Sequence, residues 1–427
     1  MQEVLMKIWK ASKNYIYAFA IMFISVPLLL TLAFAIPNKP VQNNVKKSME
    51  TTFTKQKDHF VYKDIMLDTG SDITFLNMIY FADSKHPFKS AMELQKYPGG
   101  GEGFDSFASD FKDVVLTNRE VRFESYARYW FGGAIFLRPL IAMMPMEGVR
   151  TIMHIIFYAL AAAILFLLAR RLNIFASIAF AIAMIASGFW AIPMCMQYFC
   201  IYAIMMIALV YLLTIAKKEH YPLAFFITGM ISTFDVYSAP IVSVAYLLPA
   251  AFALYSKDSK QSIKQNILML IKWASLWAIG FILFWASKWV LADMTTDLNI
   301  IKDALGKVKD WTTSGSSDGG LAIRFEIIYK NFDRLPKNSL KYFALTIIAM
   351  AAISFKDYKN WIKNSIYFVA IALVPVVWIF LTTKHAMYHM YFTYRNLTGG
   401  LFALMLIFAH VNLKQIFSKN QEKVRKS

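Results

Sequence analysis

The chain has 427 residues, 58% of them hydrophobic and only 17% charged, with a mean hydropathy of +0.45; soluble domains usually carry roughly 25% charge. The formal net charge of +18 is spread over short loops beside apolar runs and over two long hydrophilic loops. It forms no soluble basic patch, so nucleic acid is excluded as the expected partner, and membrane lipids or a phosphorylated substrate take its place.

Apolar runs of about 17 to 25 residues, the length that crosses a ~30 Å hydrocarbon core, recur about ten times along the chain. They predict an all-α polytopic membrane protein, a single domain over residues 1–427. The predicted spans are 14–36, 149–169, 173–190, 197–215, 221–237, 240–256, 268–291, 341–355, 365–382 and 397–413. The first run is long and lacks a small-residue cleavage site, so it reads as a retained helix and not a simple signal peptide.

Every second linker is basic. Lys7, Lys10 and Lys13 precede the first span; Arg170 and Arg171, Lys217 and Lys218, Lys257, Lys260 and Lys264, and Lys356, Lys359 and Lys363 follow in alternate linkers. The positive-inside rule puts these in the cytoplasm with both termini, and makes 414–427 a basic cytoplasmic tail. The linkers left facing outward are 37–148, a turn at Pro193, a bend at 236–240, the second long loop 292–340, and 383–396.

The first outer loop has internal order. ITFLNMIYFA (73–82) suits a helix lying in the interface, KYPGGGEGFDS (96–106) is a glycine-rich tip, and FESYARYWFGGAIFLRPLIAMM (123–144) suits a second interfacial helix or a shallow hairpin. The tip TTSGSSDGG (312–320) marks the second loop. No internal repeat is visible, against the paired halves of an inverted-repeat transporter. Cys195 and Cys200 have neither zinc-finger nor redox spacing and read as free thiols.

An ionisable group at membrane depth is costly and marks a functional candidate. Asp68 and Asp72 in the first outer loop, Arg128 and Arg138 before the second span, Gln197 opening the fourth, Asp235 closing the fifth, and His385, His389, Tyr394 and Arg395 in the last outer linker all fall on the outward side. Asp68 and Asp72, four apart, can share a helix face, and one of them can serve as general base toward a hydroxyl. Arginine supplies planar paired donors for phosphate. Tyr126, Tyr129 and Trp130 offer ring faces to a sugar or a headgroup. The same residues also fit helix caps (Asp68, Asp72, Asp235) and the aromatic belt of a membrane protein. His385 and His389 have i, i+4 spacing without a third ligand, so a divalent metal is not favoured and no cofactor is expected.

MLDTGSDITFL (66–76) reads like the catalytic strand of an aspartic protease, but such catalysis needs two carboxylates in a closed β-architecture, and the chain has one Asp-Thr-Gly and few strand patterns. The layout resembles instead the GT-C superfamily of integral-membrane glycosyltransferases. LDTGSDITFLN, ESYARYWFGGAIFLRPLI, GMISTFDVYSAPIV and HAMYHMYFTYRNL resemble an uncharacterised bacterial group of GT-C-like membrane proteins. The resemblance implies a bundle of about ten transmembrane helices in a bacterial cytoplasmic membrane, with a long first extracytoplasmic loop and an outward site. It implies a polyprenyl-phosphate-sugar donor and a glycan, lipid or cell-envelope acceptor. Asp68 stands where that family's base usually stands, with Asp72 as runner-up. Arg395 and Arg128 fall to the donor phosphate; Tyr394, Gln197 and His389 fall to sugar hydroxyls. No Asp-x-Asp or Glu-x-Asp pair follows the first helix, which departs from the metal-holding relatives. The alternatives are an O-antigen-ligase-like or polymerase-like enzyme and a lipid or polysaccharide transporter.

Overall fold

In the computed structural model the described residues are mostly helical, with two short antiparallel ladders. The structure describes residues 2–53, 61–62, 65–99, 104–235, 239–257, 261–314 and 320–411. The predicted tips at 96–106 and 312–320 and the bend at 236–240 lie partly, and the basic tail 414–427 wholly, outside the described residues.

Helix α1 (Gln2–Phe34) leads into α2 (Asn38–Thr51), and the ladder β1 (Val61–Tyr62) with β2 (Ile65–Met66) leads into α3 (Thr69–Tyr80). The rest of the first loop holds α4 (Pro87–Glu93), β3 (Gln95–Lys96), α5 (Phe104–Thr117), β4 (Glu124–Ser125) paired with β3, and α6 (Ala134–Met143). The bundle continues with α7 (Met146–Arg171), α8 (Ile174–Ala186), α9 (Met196–Thr214), α10 (Tyr221–Ile231), α11 (Ile241–Ser256) and α12 (Ile263–Thr295). Then come α13 (Ile300–Thr312), α14 (Gly320–Asp333), α15 (Ser339–Ile353), α16 (Tyr358–Ala372) and α17 (Val374–Leu381). The last outer linker forms α18 (Thr383–Tyr388) and α19 (Met390–Thr393), and α20 (Thr398–Met405) follows.

Among the described residues five segments are long and apolar enough to cross a membrane: Ser12–Phe34, α7, α9, α12 and Trp361–Leu381. Several such helices in one chain make a multi-pass membrane protein. At the other predicted spans the helices are shorter; α8, α11 and α15 run 13, 16 and 15 residues. The break between α16 and α17 falls at Leu373, one residue before Val374-Pro375, because proline cannot continue the hydrogen-bond ladder of a preceding helix. Local chemistry sets the helix starts. Asn173 caps α8, and Ser262 with Gln265 forms a capping box on α12.

Helices α10 and α12 approach each other closely. A Cβ built on Gly229 would lie 2.0 Å from the Trp277 carbonyl oxygen, and one on Gly280 would lie 2.2 Å from the Phe226 oxygen. Small residues let membrane helices approach backbone to backbone. Segment 73–82 is helical as expected, but α3 is buried nearly all round, so protein encloses it where an open interfacial position was expected. Its polar residues are scattered among apolar ones and form no continuous polar face for water. Helix α6 fits the interfacial reading better: Leu137, Arg138 and Ile141 are buried, while Phe136 and Met143 are exposed.

Candidate active site

Asp68 follows β2 by two residues and caps α3. Its Oδ1 accepts from the Ser71 amide at 3.0 Å, and its Oδ2 accepts from the Ser71 hydroxyl. Ile65 and Leu67 anchor the approach by packing on Ala191. The carboxylate is buried, 3% exposed. Burial raises its pKa to about 6 against the pull of the two Ser71 hydrogen bonds; nearby Asp72 adds to the rise and the Arg395 guanidinium opposes it. An acid of that strength is half ionised close to neutral pH, as a general base needs.

Arg395 comes to Asp68 from the other end of the chain. Helix α8 ends at Ser187, and the turn continues through Gly188 at φ +69°, leaving the Ser187 carbonyl open. Arg395 Nε donates to that oxygen at 3.1 Å and Tyr394 Oη donates to it at 3.3 Å, so a cation sits at the negative end of a helix. Arg395 Nη1 donates to the Tyr391 carbonyl at 3.1 Å, and the guanidinium stacks on Tyr198 at 3.9 Å and Tyr394 at 4.7 Å. Its Nη2 is buried with no hydrogen-bond partner among the described residues. A buried guanidinium N–H without a protein acceptor is costly unless water or a ligand acceptor meets it. Burial pushes the Tyr391 phenol above its ordinary range, and the charge of Asp68 adds to this. His389 Nδ1 lies 3.2 Å from the Tyr391 hydroxyl.

The remaining predicted residues divide into two groups. Four are held in structural contacts. Asp72 spans three elements: its Oδ2 accepts from Arg150 Nη2 of α7 at 3.0 Å and its Oδ1 from the Met196 amide at the start of α9 at 2.7 Å. Arg138 is fully buried and donates to the Ile79 oxygen at 2.5 Å, the Ile36 oxygen at 2.8 Å and Asn38 Oδ1 at 2.6 Å. Trp130 donates to the Phe284 oxygen at 2.6 Å, and Asp235 Oδ2 accepts from the Ala239 amide at 2.7 Å. The second group forms a rim. Arg128 pairs with Asp303 at 3.0 Å and lies over the rings of Tyr126 and Tyr129. Tyr129 stacks on Trp285 and Trp311; Trp311 then meets His385 at 4.8 Å, and His385 meets His389 at 4.8 Å. Gln197, in the first turn of α9, keeps a buried Oε1 with no hydrogen-bond partner among the described residues.

Comparisons with protein-family models, curated proteins and solved structures return no match.

Among the described residues no group of three or more His, Cys, Asp or Glu could hold a metal ion. Cys195 and Cys200 are free thiols. Cys195 Sγ lies 3.6 Å from the Asp68 carbonyl oxygen, between the two acids. Ser71, Tyr198, Tyr391 and Arg150 were not singled out in the sequence. Arg150, a cation at the head of an apolar run, carried a readable signal. Ser71, Tyr198 and Tyr391 carried none, because only tertiary packing brings them to the acids.

Proposed function

We propose that the protein is an integral-membrane glycosyltransferase of the GT-C kind, with about ten membrane segments, both termini in the cytoplasm of a bacterial cell and the site facing outward. The observation that carries the reading is the buried pair of unlike character: Asp68, held by Ser71 at the start of α3, and Arg395, whose charge acts on it and whose Nη2 has no hydrogen-bond partner among the described residues.

In the proposed reaction Asp68 removes the proton of an acceptor hydroxyl. The acceptor oxygen bonds to the anomeric carbon of a sugar held on polyprenyl phosphate. The bond from that carbon to the phosphate oxygen breaks, and the lipid phosphate leaves with the electron pair, held by Arg395 through Nη2. The Tyr391 phenol stays protonated and can donate to the sugar or the phosphate. Asp72 is assigned a positioning role, since both of its oxygens are already engaged. The experiment is transfer by the purified protein in proteoliposomes that hold polyprenyl-phosphate sugar. The reading expects Asp68→Asn to lose at least about a hundredfold in rate, and transfer at the wild-type rate would overturn it.

A second reading is an O-antigen-ligase-like enzyme, which would rest on arginine and histidine in the outer loops; the contact of His389 with Tyr391 beside Arg395 favours it. Loss of transfer in His389→Ala with Asp68→Asn tolerated would select it.

A further inference from the structure

Helix α14 (Gly320–Asp333) divides its circumference into three arcs. One arc is buried against α17 and the linker that follows it: Ile327 packs with Ile379, Ala386 and Leu397, and Asn331 Oδ1 accepts from the Thr393 hydroxyl at 2.7 Å. A second arc is exposed and charged. It holds Glu326, Lys330 and Asp333, and Glu326 pairs with Lys330 at 2.6 Å. The third is exposed and apolar. Leu321, Phe325 and Tyr329 recur there once per turn within about 80°, and are 66%, 63% and 69% exposed. The helix cannot span a bilayer, because it has only 14 residues and carries Arg324, Glu326, Lys330 and Asp333.

We propose that α14 lies in the membrane surface, with Leu321, Phe325 and Tyr329 seated among lipid headgroups and upper acyl chains and with Glu326 and Lys330 in water. The inference stands apart from the transfer reaction proposed above. Three observations carry it. First, the apolar arc continues the lipid-facing stripe of a membrane segment. Leu373, Val377 and Leu381, one turn apart, are exposed along Trp361–Leu381. At the end of that segment the Phe380 ring meets Phe325 at 5.8 Å, and Arg324 Nη1 donates to the Phe380 carbonyl at 2.5 Å and to the Thr383 hydroxyl at 3.1 Å. These contacts fix α14 at the level where the segment leaves the hydrocarbon. Second, an apolar arc beside a charged one suits a helix at the boundary of lipid and water, whereas a contiguous patch of large apolar side chains has no use in water alone. Third, Tyr329 is the large apolar-arc residue nearest the charged arc. That place lets its ring sit in the interface with its hydroxyl toward water, as tyrosine does in the aromatic belts of membrane proteins. The bilayer surface then backs the linker that holds His385, Thr393 and Arg395.

The test places the full wild-type chain in nanodiscs of phosphatidylcholine that carries a diazirine on its acyl chain near the headgroup. After illumination, peptide mapping by mass spectrometry is expected to find lipid adducts on Leu321, Phe325 and Tyr329 and none on Glu326 or Lys330. A second measurement follows the reaction of Phe325→Cys, Tyr329→Cys, Glu326→Cys and Lys330→Cys with a charged, membrane-impermeant maleimide in the same nanodiscs. Cys195 is buried and Cys200 half-buried, and the wild type sets their background. The first two variants are expected to react at least about tenfold more slowly than the last two, because a thiol seated in lipid is shielded and stays protonated. Equal reactivity at the four positions overturns the proposal, as do lipid adducts confined to the membrane segments with none on α14. Slow labelling of Phe325→Cys with cross-links between two copies of the chain, and no lipid adduct on α14, overturns it too, since protein and not lipid would then cover the arc.

Discussion

Arg150 donates to Asp72 at 3.0 Å with both side chains buried, and this contact ties the first loop to the second long apolar helix. The Met196 amide fills the other carboxylate oxygen, so α3, α7 and α9 meet at one acid. Breaking a buried pair from one side strands the other charge, at a cost of about 3–5 kcal/mol. Asp72→Ala and Arg150→Ala are each expected to lower folded yield and unfolding temperature sharply. The double variant should recover part of the loss, because no lone charge remains. Thermal unfolding of the three detergent-purified variants checks this; a double variant as unstable as the sum of the singles would contradict it.

Asp68 behaves in the opposite sense. Its folded pKa of about 6 lies above the ordinary carboxylate value, so the fold prefers the protonated acid. Stability from this group is full below about pH 4 and declines as pH rises through about 6. Asp68→Asn keeps a good cap residue and an oxygen for the Ser71 amide. It should therefore stabilise the protein at pH 8 by up to about 3 kcal/mol, with the gain fading toward pH 4. Transfer should be lost in the same variant, and the wild-type rate should rise with pH through about 6. Unfolding curves at pH 5 and pH 8 together with a pH–rate profile separate the two effects; a variant less stable at both pH values would refute the assignment.

How much of this was legible in the sequence differs between elements. The long spans were, since about 20 consecutive apolar residues have few other uses: α7, α9 and α12 lie where hydropathy puts them. Shorter helices such as α10 and α20 are only partly encoded by hydropathy, because their ends are set by packing and by the 3-10 turns Ser232–Phe234 and Leu406–Phe408 that follow them. Which charged residues interrupt the apolar pattern was legible, but role was not. Arg138 and Arg395 read alike in sequence. In the fold both terminal nitrogens of Arg138 are spent on the carbonyls of Ile36 and Ile79 and the side chain of Asn38, while Arg395 keeps its terminal Nη2 without a hydrogen-bond partner among the described residues. Which carbonyls converge on an arginine depends on segments far apart in the chain.

Helices α10 and α12 offer a test of the bundle. Gly229 and Gly280 each face the other helix's backbone oxygen at distances a Cβ cannot occupy. Gly229→Ala or Gly280→Ala must push the helices apart, losing contacts along the whole interface. Each is expected to cost more than about 2 kcal/mol, in the range of severe overpacking. Gly306→Ala, in open space, should be neutral to slightly stabilising. Monodispersity on size-exclusion chromatography after mild heating ranks the three; equal behaviour would show that α10 and α12 are not in close contact.

Arg395 allows a sharper test than charge removal. Its guanidinium divides its nitrogens: Nε on Ser187, Nη1 on Tyr391, and Nη2 without a hydrogen-bond partner among the described residues. Lysine has one ammonium and cannot hold both carbonyls while presenting a donor to a phosphate. Arg395→Lys should weaken polyprenyl-phosphate binding about tenfold or more, one to two charge-assisted hydrogen bonds' worth, although the positive charge is kept. Arg138→Lys, which leaves carbonyls unmet elsewhere, should lower stability and leave the affinity of the folded fraction unchanged. Native mass spectrometry with added polyprenyl phosphate reads both. Equal lipid retention by wild type and Arg395→Lys would mean that Nη2 meets no phosphate, and Asp68 would lose its proposed leaving-group partner.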